Sequence, residues 1–437
     1  MPDMPHIEGN KLTRFTVSGL FGSLRHDIHF PRQPTEPGGP SIAILAGPNG
    51  VGKTTILHMI EGMLKLDFNP FRRVPFSEAI LEVEGAPPLT VRSRDDPQFP
   101  LLVKFGDTET VLSRNKDGPY TTDQEATVTE FRANASLALR TINYELLDIH
   151  RSVLLRETHR GDILADFRSD TDEALIRNVR AIAGRTGKLL SRSTRNVDSN
   201  VMAARVRSFI RDAQINYRRF FSAGELELLP RLVSYLRSVR DKKPTREQLL
   251  AKIDSLSASN ERLRSIGLET EQQDIFRVRE LFSSSEIYNN EASLIVLNSY
   301  LDLLENRNKQ RELIAERLRQ FEAIMSNFYS SKIVRIDPDI GLTILTMDGK
   351  ELQETDLSSG EYRLLYMMVT ALIANRSGTI IAIDEPELSL HVTWQRRLIS
   401  ALVRCAAGAS PLFILATHSA AISAEYEDRV FYLHFRK

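Results

Sequence analysis

The stretch GPNGVGKTT, Gly47 to Thr55, decides how this chain is read. Before it runs Ser41-Ile42-Ala43-Ile44-Leu45-Ala46, an apolar segment that suits a buried strand. After it comes TTILHMIEGML, which places Ile56, Ile60, Met63 and Leu64 on one face of a helix. Strand, glycine-rich turn and helix in that order predict a phosphate-binding loop. The glycines let successive N–H groups turn inward and approach an anion closely. The helix N-terminus adds its dipole. The expected binding set is Gly47, Pro48, Asn49, Gly50, Val51, Gly52, Lys53, Thr54 and Thr55. Lys53 neutralises the β- and γ-phosphates, and the Thr54 hydroxyl is a ligand for Mg²⁺. The implied cofactors are ATP and Mg²⁺.

The rest of the composition narrows the class. The 437 residues are 42% hydrophobic and 26% charged, with 57 basic and 57 acidic side chains. A net charge of zero argues against a protein coated in nucleic acid, although a local basic face is compatible with it. A single cysteine, Cys405, makes no internal disulfide and suits a reducing, cytoplasmic setting; its apolar surroundings predict a buried thiol. No run of about 18 apolar residues occurs, so no membrane span is expected. The N-terminus MPDMPHIEGN lacks the basic and apolar regions of a signal peptide.

Three stretches near the C-terminus complete the pattern. In GTIIAIDEPELSLH, Gly378 to His391, the strand Ile380–Ile383 ends in Asp384-Glu385. Asp384 is placed to hold Mg²⁺ through water, and Glu385 to orient and deprotonate an attacking water. In PLFILATHSAAI, His418 follows another apolar strand, where ligands bind in such sheets. Its imidazole is placed to contact the γ-phosphate or the attacking water. LSSGE, Leu357 to Glu361, opens a helix, and Ser358 with the N–H groups of Ser359 and Gly360 forms a second anion site. Taken singly, these are an N-cap, an acidic loop and a core histidine. Their order and spacing together point to phosphoryl chemistry, with Lys53, Glu385 and His418 as catalytic groups.

This set resembles the ABC-type ATPases, over roughly residues 8–175 and 330–437. The resemblance implies an α/β fold: an ATPase head with a mixed sheet and an antiparallel β subdomain. It also implies that Ser358 and Gly360 act in trans on the nucleotide of a second subunit, so that hydrolysis is tied to at least a head-to-head dimer. DEPELSLH, then WQ, then THS, together with KLTRFTVSGLFGSLRHDIHF at the start, is similar to the branch holding the OLD nucleases, RecF proteins and several anti-phage ATPases. There are departures. Ser359 stands where the family has glycine, Glu361 where transporters have glutamine, and His391 where many heads have aspartate. No Q-loop glutamine is evident, although His150 or Arg151 falls about where it belongs. Trp394 and Gln395 are expected to pack the next helix.

Between the two halves, residues 76–125 alternate as an antiparallel strand subdomain. The domain reading is 1–175, a helical insertion over 176–330, and 331–437. Ile314, Leu318, Phe321, Met325 and Phe328 alternate by four and three, a short heptad seam that predicts a helical hairpin. Between Ile176 and Arg219 eleven Arg or Lys stand against two Asp, so Arg177–Arg219 is a candidate face for nucleic acid or for an acidic partner.

The chain ends about twenty residues after His418, which leaves no room for the nuclease domain that follows this point in OLD proteins. The expected function is therefore an ATPase that controls a separate effector, similar to the ATPase subunits of the Septu and PARIS anti-phage systems. A RecF-like repair ATPase that binds DNA directly is the alternative.

Overall fold

The computed structural model describes residues 10–31, 39–113, 122–148, 200–215, 244–268, 278–280, 291–374 and 378–435. The chain divides into two compact units, 1–182 with 357–437, and 183–356.

The first unit is an α/β head with two sheets. Its parallel sheet has the order β14-β3-β13-β12-β8. The strands are β3 (Ser41–Ala46), β8 (Asn143–Leu147), β12 (Thr379–Asp384), β13 (Leu412–Thr417) and β14 (Val430–Tyr432). β3, β12 and β13 read as continuous apolar runs because they are buried on both faces; Ile42, Ala43, Ile44 and Leu45 are each 0% exposed. Register fixes the site: Ala416 lies opposite Asp384, and Thr417 opposite Ala46. Parallel pairing thus brings three strand ends, from distant parts of the sequence, to one edge.

The second sheet is antiparallel, ordered β2-β1-β4-β5-β6-β7. It contains β1 (Leu12–Leu20), β2 (Leu24–His29), β4 (Glu78–Val83), β5 (Leu89–Ser93), β6 (Leu101–Phe105) and β7 (Thr108–Leu112). Its strands alternate, as β2 does residue by residue between buried and exposed, because only one face meets the core. That core also takes in α1 (Lys53–Lys65) and the inner faces of β3, β12 and β13. α1 is buried more widely than a one-faced helix: Leu57 and Met59 are 0% exposed along with Ile56, Ile60 and Met63. The sequence shows the apolar stripe, but not that the helix is enclosed on more than one side. Asn69–Arg73 (α2) and Thr122–Leu139 (α3) complete the N-terminal part.

The second unit holds a helix over 201–215 (α4), Arg246–Ser265 (α5), Glu291–Phe328 (α6) and a three-stranded antiparallel sheet. The sheet is β9 (Lys332–Asp337), β10 (Gly341–Thr346) and β11 (Glu351–Leu352), with a turn at Asp348-Gly349, where Gly349 has φ 84°. α5 and α6 pack through Leu249, Ile253, Leu256, Leu301 and Leu304. Farther along, the pair is joined by polar rungs: Asn308 Nδ2 donates to Ser259 Oγ at 3.2 Å and to Asn260 Oδ1 at 2.6 Å. The residues of the predicted seam from Leu318 to Phe328 are buried, but they lie on the later part of α6, which packs on β9; the hairpin contact with α5 lies earlier. A heptad identifies a buried face without identifying what covers it.

The last helices belong to the head: α7 (Ser359–Ile373), α8 (Val392–Cys405) and α9 (Ala420–Ser423). Cys405 is buried, with its sulfur 3.7 Å from that of Met368. No helix among the described residues is long and apolar enough to cross a membrane.

Candidate functional site

The glycine-rich loop leaves β3 at Ala46 and enters α1 through Gly52, whose φ of 98° suits only glycine. A Cβ at Gly52 would also lie 2.7 Å from Leu20 Cδ2. His26 of β2 supports the loop from below, its Nε2 donating to the Val51 carbonyl at 3.0 Å. Burial lowers the His26 pKa, which favours the neutral ring in this role. Lys53 is 6% exposed and folds over the loop, its Nζ donating to Gly47 O at 2.7 Å and Pro48 O at 3.1 Å.

Asp384 faces this loop from the end of β12. Thr54 Oγ1 donates to Asp384 Oδ2 at 2.8 Å. Asp384 Oδ1 is buried and has no hydrogen-bond partner. Burial pushes the Asp384 carboxyl up from its ordinary range; the Thr54 hydrogen bond opposes this, and the charges of Glu385 and Asp148 add to it. A buried carboxylate oxygen without a partner, beside a threonine hydroxyl, fits a hard divalent cation. Mg²⁺ takes oxygen ligands of this kind. Thr54 and Asp384 are the residues that would hold it.

Glu385 follows in the left-handed region at φ 45°, where its N–H donates to Ala416 O at 2.8 Å. Such a backbone costs of the order of 1 kcal/mol or more and persists only where its surroundings impose it. Arg363 of α7 does so: its Nη2 donates to Asp384 O and to Glu385 O, each at 2.7 Å. Arg363 is 8% exposed. Burial lowers its pKa, while Glu387, Asp384, Glu385 and Asp148 pull it back up.

His418 stands just past β13. Glu387, 6% exposed, binds this segment three times. It accepts from Thr417 Oγ1 at 2.8 Å and from His418 N at 2.8 Å, and its Oε1 lies 2.9 Å from His418 Nδ1. Ser419 Oγ donates to Gln395 Oε1 at 2.8 Å, and Gln395 Nε2 donates to Leu390 O at 2.9 Å.

Ser358 is the N-cap of α7, accepting from Glu361 N at 3.3 Å, while Glu361 Oε2 accepts from Ser358 N at 2.8 Å. The glutamate that departs from the transporter pattern thus closes a capping box. Ser358 and Ser359 remain exposed, and Gly360 is buried against Ser389, whose backbone has φ 64°. A Cβ at Gly360 would lie 2.3 Å from the Ser389 carbonyl oxygen.

The structure therefore gathers the glycine-rich loop, Lys53, Thr54, Asp384, Glu385 and His418 at the carboxyl ends of the parallel strands. His150 and Arg151 lie outside the described residues, as does the Arg177–Arg219 stretch apart from residues 200–215, which carry Arg205, Arg207 and Arg211 on α4. Sequence reasoning passed over Arg363, Glu387, Asp148 and His26, and gave Gln395 only a packing role. Only Glu387 left a signal, as the third carboxylate of DEPE. The others are placed by tertiary contact.

Two solved structures are similar to this chain at a low level. One is an Smc head domain with extended coiled coil, bound to the C-terminal domain of ScpA, from Pyrococcus furiosus. It shows 13% identity over 98% of this chain and 94% of that one, with a TM-score of 0.39. The other is an Smc head bound to the C-winged helix domain of ScpA, with 11% identity over 98% and 95% and a TM-score of 0.39. No curated protein matches the sequence. Residues 162–424, more than half of the chain, match the family described as "AAA domain, putative AbiEii toxin, Type IV TA system". On that match, and with a phosphate loop and acidic strand end built as described, the chain belongs to this family of P-loop AAA domains.

Proposed function

We propose that the protein is an ABC-type ATPase that binds ATP between paired heads and uses its turnover to control a separate effector in anti-phage defence. The observation that carries the enzymatic part is Asp384 Oδ1, buried without a partner beside Thr54 and the phosphate loop. Lys53 and the loop N–H groups bind the β- and γ-phosphates. Bound Mg²⁺ would supply charge neutralisation at the phosphates. Glu385 takes the proton of the attacking water, from a backbone position held by Arg363. His418 contacts the γ-phosphate side. Such chemistry is mostly positioning and charge stabilisation, so a few fixed groups suffice.

Ser358, Ser359 and Gly360 complete the site of a second copy in this reading, and their exposed start to α7 supports it. The defence role is supported by the resemblance to Septu and PARIS ATPases and by a family description that speaks of a toxin of a Type IV toxin–antitoxin system. The repair alternative draws on the basic composition of Arg177–Arg219.

Two variants test this. Lys53→Ala is expected to lose ATP binding in calorimetry. Glu385→Gln is expected to bind ATP, to hydrolyse it at least about a hundredfold more slowly, and to accumulate as a dimer or larger assembly in light scattering. Normal turnover by Glu385→Gln sinks the base assignment. Pull-down of Glu385→Gln with ATP then separates the readings: a stoichiometric protein partner supports effector control, and co-purified DNA alone supports repair.

A further inference from the structure

The Glu387 carboxylate is among the most constrained polar groups in the head. It is buried, it sits two residues beyond the proposed base, and it spends both oxygens on the segment that carries His418. Its Oε2 takes the Thr417 hydroxyl, while its Oε1 takes the His418 backbone N–H and faces His418 Nδ1. An ionised carboxylate only accepts hydrogen bonds. A nitrogen 2.9 Å away must therefore carry the proton. In the neutral ring this leaves Nε2 as the unprotonated nitrogen, and Nε2 has no protein partner among the described residues. The imidazole side chain is 46% exposed while that of Glu387 is 5% exposed, so the ring is held from its buried edge and offers its other edge outward.

We infer that Glu387 is a positioning residue: it fixes the His418 ring as the Nδ1–H tautomer and aims Nε2 at the nucleotide. The inference rests on the proposed phosphoryl-transfer reading for its purpose, though not for its geometry. A histidine held this way by a buried carboxylate has its ring orientation and protonated nitrogen decided in advance. The same carboxylate joins the end of β12 to the end of β13. Displacement of the DEPE turn therefore carries to His418 directly.

The test uses the full chain and two readouts. Glu387→Gln is nearly isosteric. Because Oε1 takes both the His418 N–H and Nδ1, a glutamine that keeps its oxygen there keeps the tautomer while losing the charge, so the tautomer is read in Glu387→Ala, which removes both acceptor oxygens. In ¹⁵N-histidine spectra, with the His418 signals assigned by loss in His418→Ala, the wild type is expected to show protonated Nδ1 and Glu387→Ala to lose that preference. An unchanged tautomer in a folded Glu387→Ala protein overturns the inference. The kinetic readout is a cycle of Glu387→Gln, His418→Ala and the double variant. Glu387→Gln is expected to lower kcat about 10- to 100-fold with KM changed less than about threefold, and to have no further effect once His418 is alanine. Independent, multiplying losses in the double variant would mean that Glu387 acts elsewhere, and would also overturn it. If Glu387→Gln does not fold, Glu387→Asp, which keeps the charge but shortens the reach, is read in the same cycle. A wild-type protein without ATP turnover refutes the proposed function, while the tautomer still judges Glu387.

Discussion

Asp384→Asn should make the nucleotide-free protein more stable while removing its response to Mg·ATP. The substitution keeps an oxygen for Thr54 and removes a charge from a site where one carboxylate oxygen is buried without a partner. A buried unsatisfied group costs about 1–3 kcal/mol, more when charged, so replacing the charged group by a neutral one recovers about 1–2 kcal/mol. In a head of this size that is a rise in Tm of roughly 2–5 °C. The sign follows from the carboxyl being pushed up on folding: the penalty is full at neutral pH and fades as pH falls toward the ordinary aspartate range. ATP with Mg²⁺ at about a hundred times its Kd stabilises the wild type by about 2.7 kcal/mol. Most of that gain should be absent in Asp384→Asn, so the order of the two proteins reverses on adding Mg·ATP. Differential scanning fluorimetry at pH 7.5, with and without Mg·ATP, reads both effects. An Asp384→Asn protein that melts below the wild type without nucleotide, or gains as much from Mg·ATP, refutes the reading of Asp384 as a cation ligand kept at a cost to stability.

Two further outcomes follow from packing and burial. Gly360→Ala places a Cβ against the Ser389 carbonyl, a backbone atom that cannot rotate away, so the segment from Ser389 to Leu390 must shift at a cost of about 1–3 kcal/mol. ATP hydrolysis is expected to fall tenfold or more, with binding to the phosphate loop changed less than about threefold; an unchanged rate shows that this contact is idle. In the second unit, burial pushes Glu354 up to about 7 although it accepts the Ala203 N–H at 3.0 Å. Its folded value lies above the unfolded one. The stability it contributes is therefore complete below the ordinary glutamate range and is lost as pH rises through about 7, a change of about 3 kcal/mol. Urea unfolding between pH 5 and 8 should show this decline in the wild type and a flatter profile in Glu354→Gln; equal profiles dismiss Glu354 as the source.

Much of the head was legible because its chemistry is written in contiguous motifs. The Gly47–Thr55 loop, Asp384-Glu385 and His418 each follow an apolar strand, and strand ends are where a parallel sheet presents its ligands. The antiparallel layer was legible from alternation. What the sequence could not show was which polar groups meet. Arg363 looks like an ordinary residue one turn into a helix, yet its guanidinium holds the backbone of Glu385. Gln395 reads as a packing residue of α8 and instead links Leu390 to Ser419 through hydrogen bonds. Such pairs span from about five to more than twenty residues and depend on strand register, which no local pattern encodes.

The interleaved parallel sheet has a consequence for how the protein is made. β3 carries the phosphate loop, but its neighbours on both sides, β13 and β14, come from the far end of the chain. At roughly 5–20 residues per second, the ribosome needs about 20–70 s to travel from β3 to the strands that cover it. Throughout that interval Ile42–Leu45 is an unpaired apolar strand, the kind of edge that recruits other chains. The order of strands in the sheet therefore sets a period of vulnerability in synthesis, and makes closure of the nucleotide site one of the last events of folding.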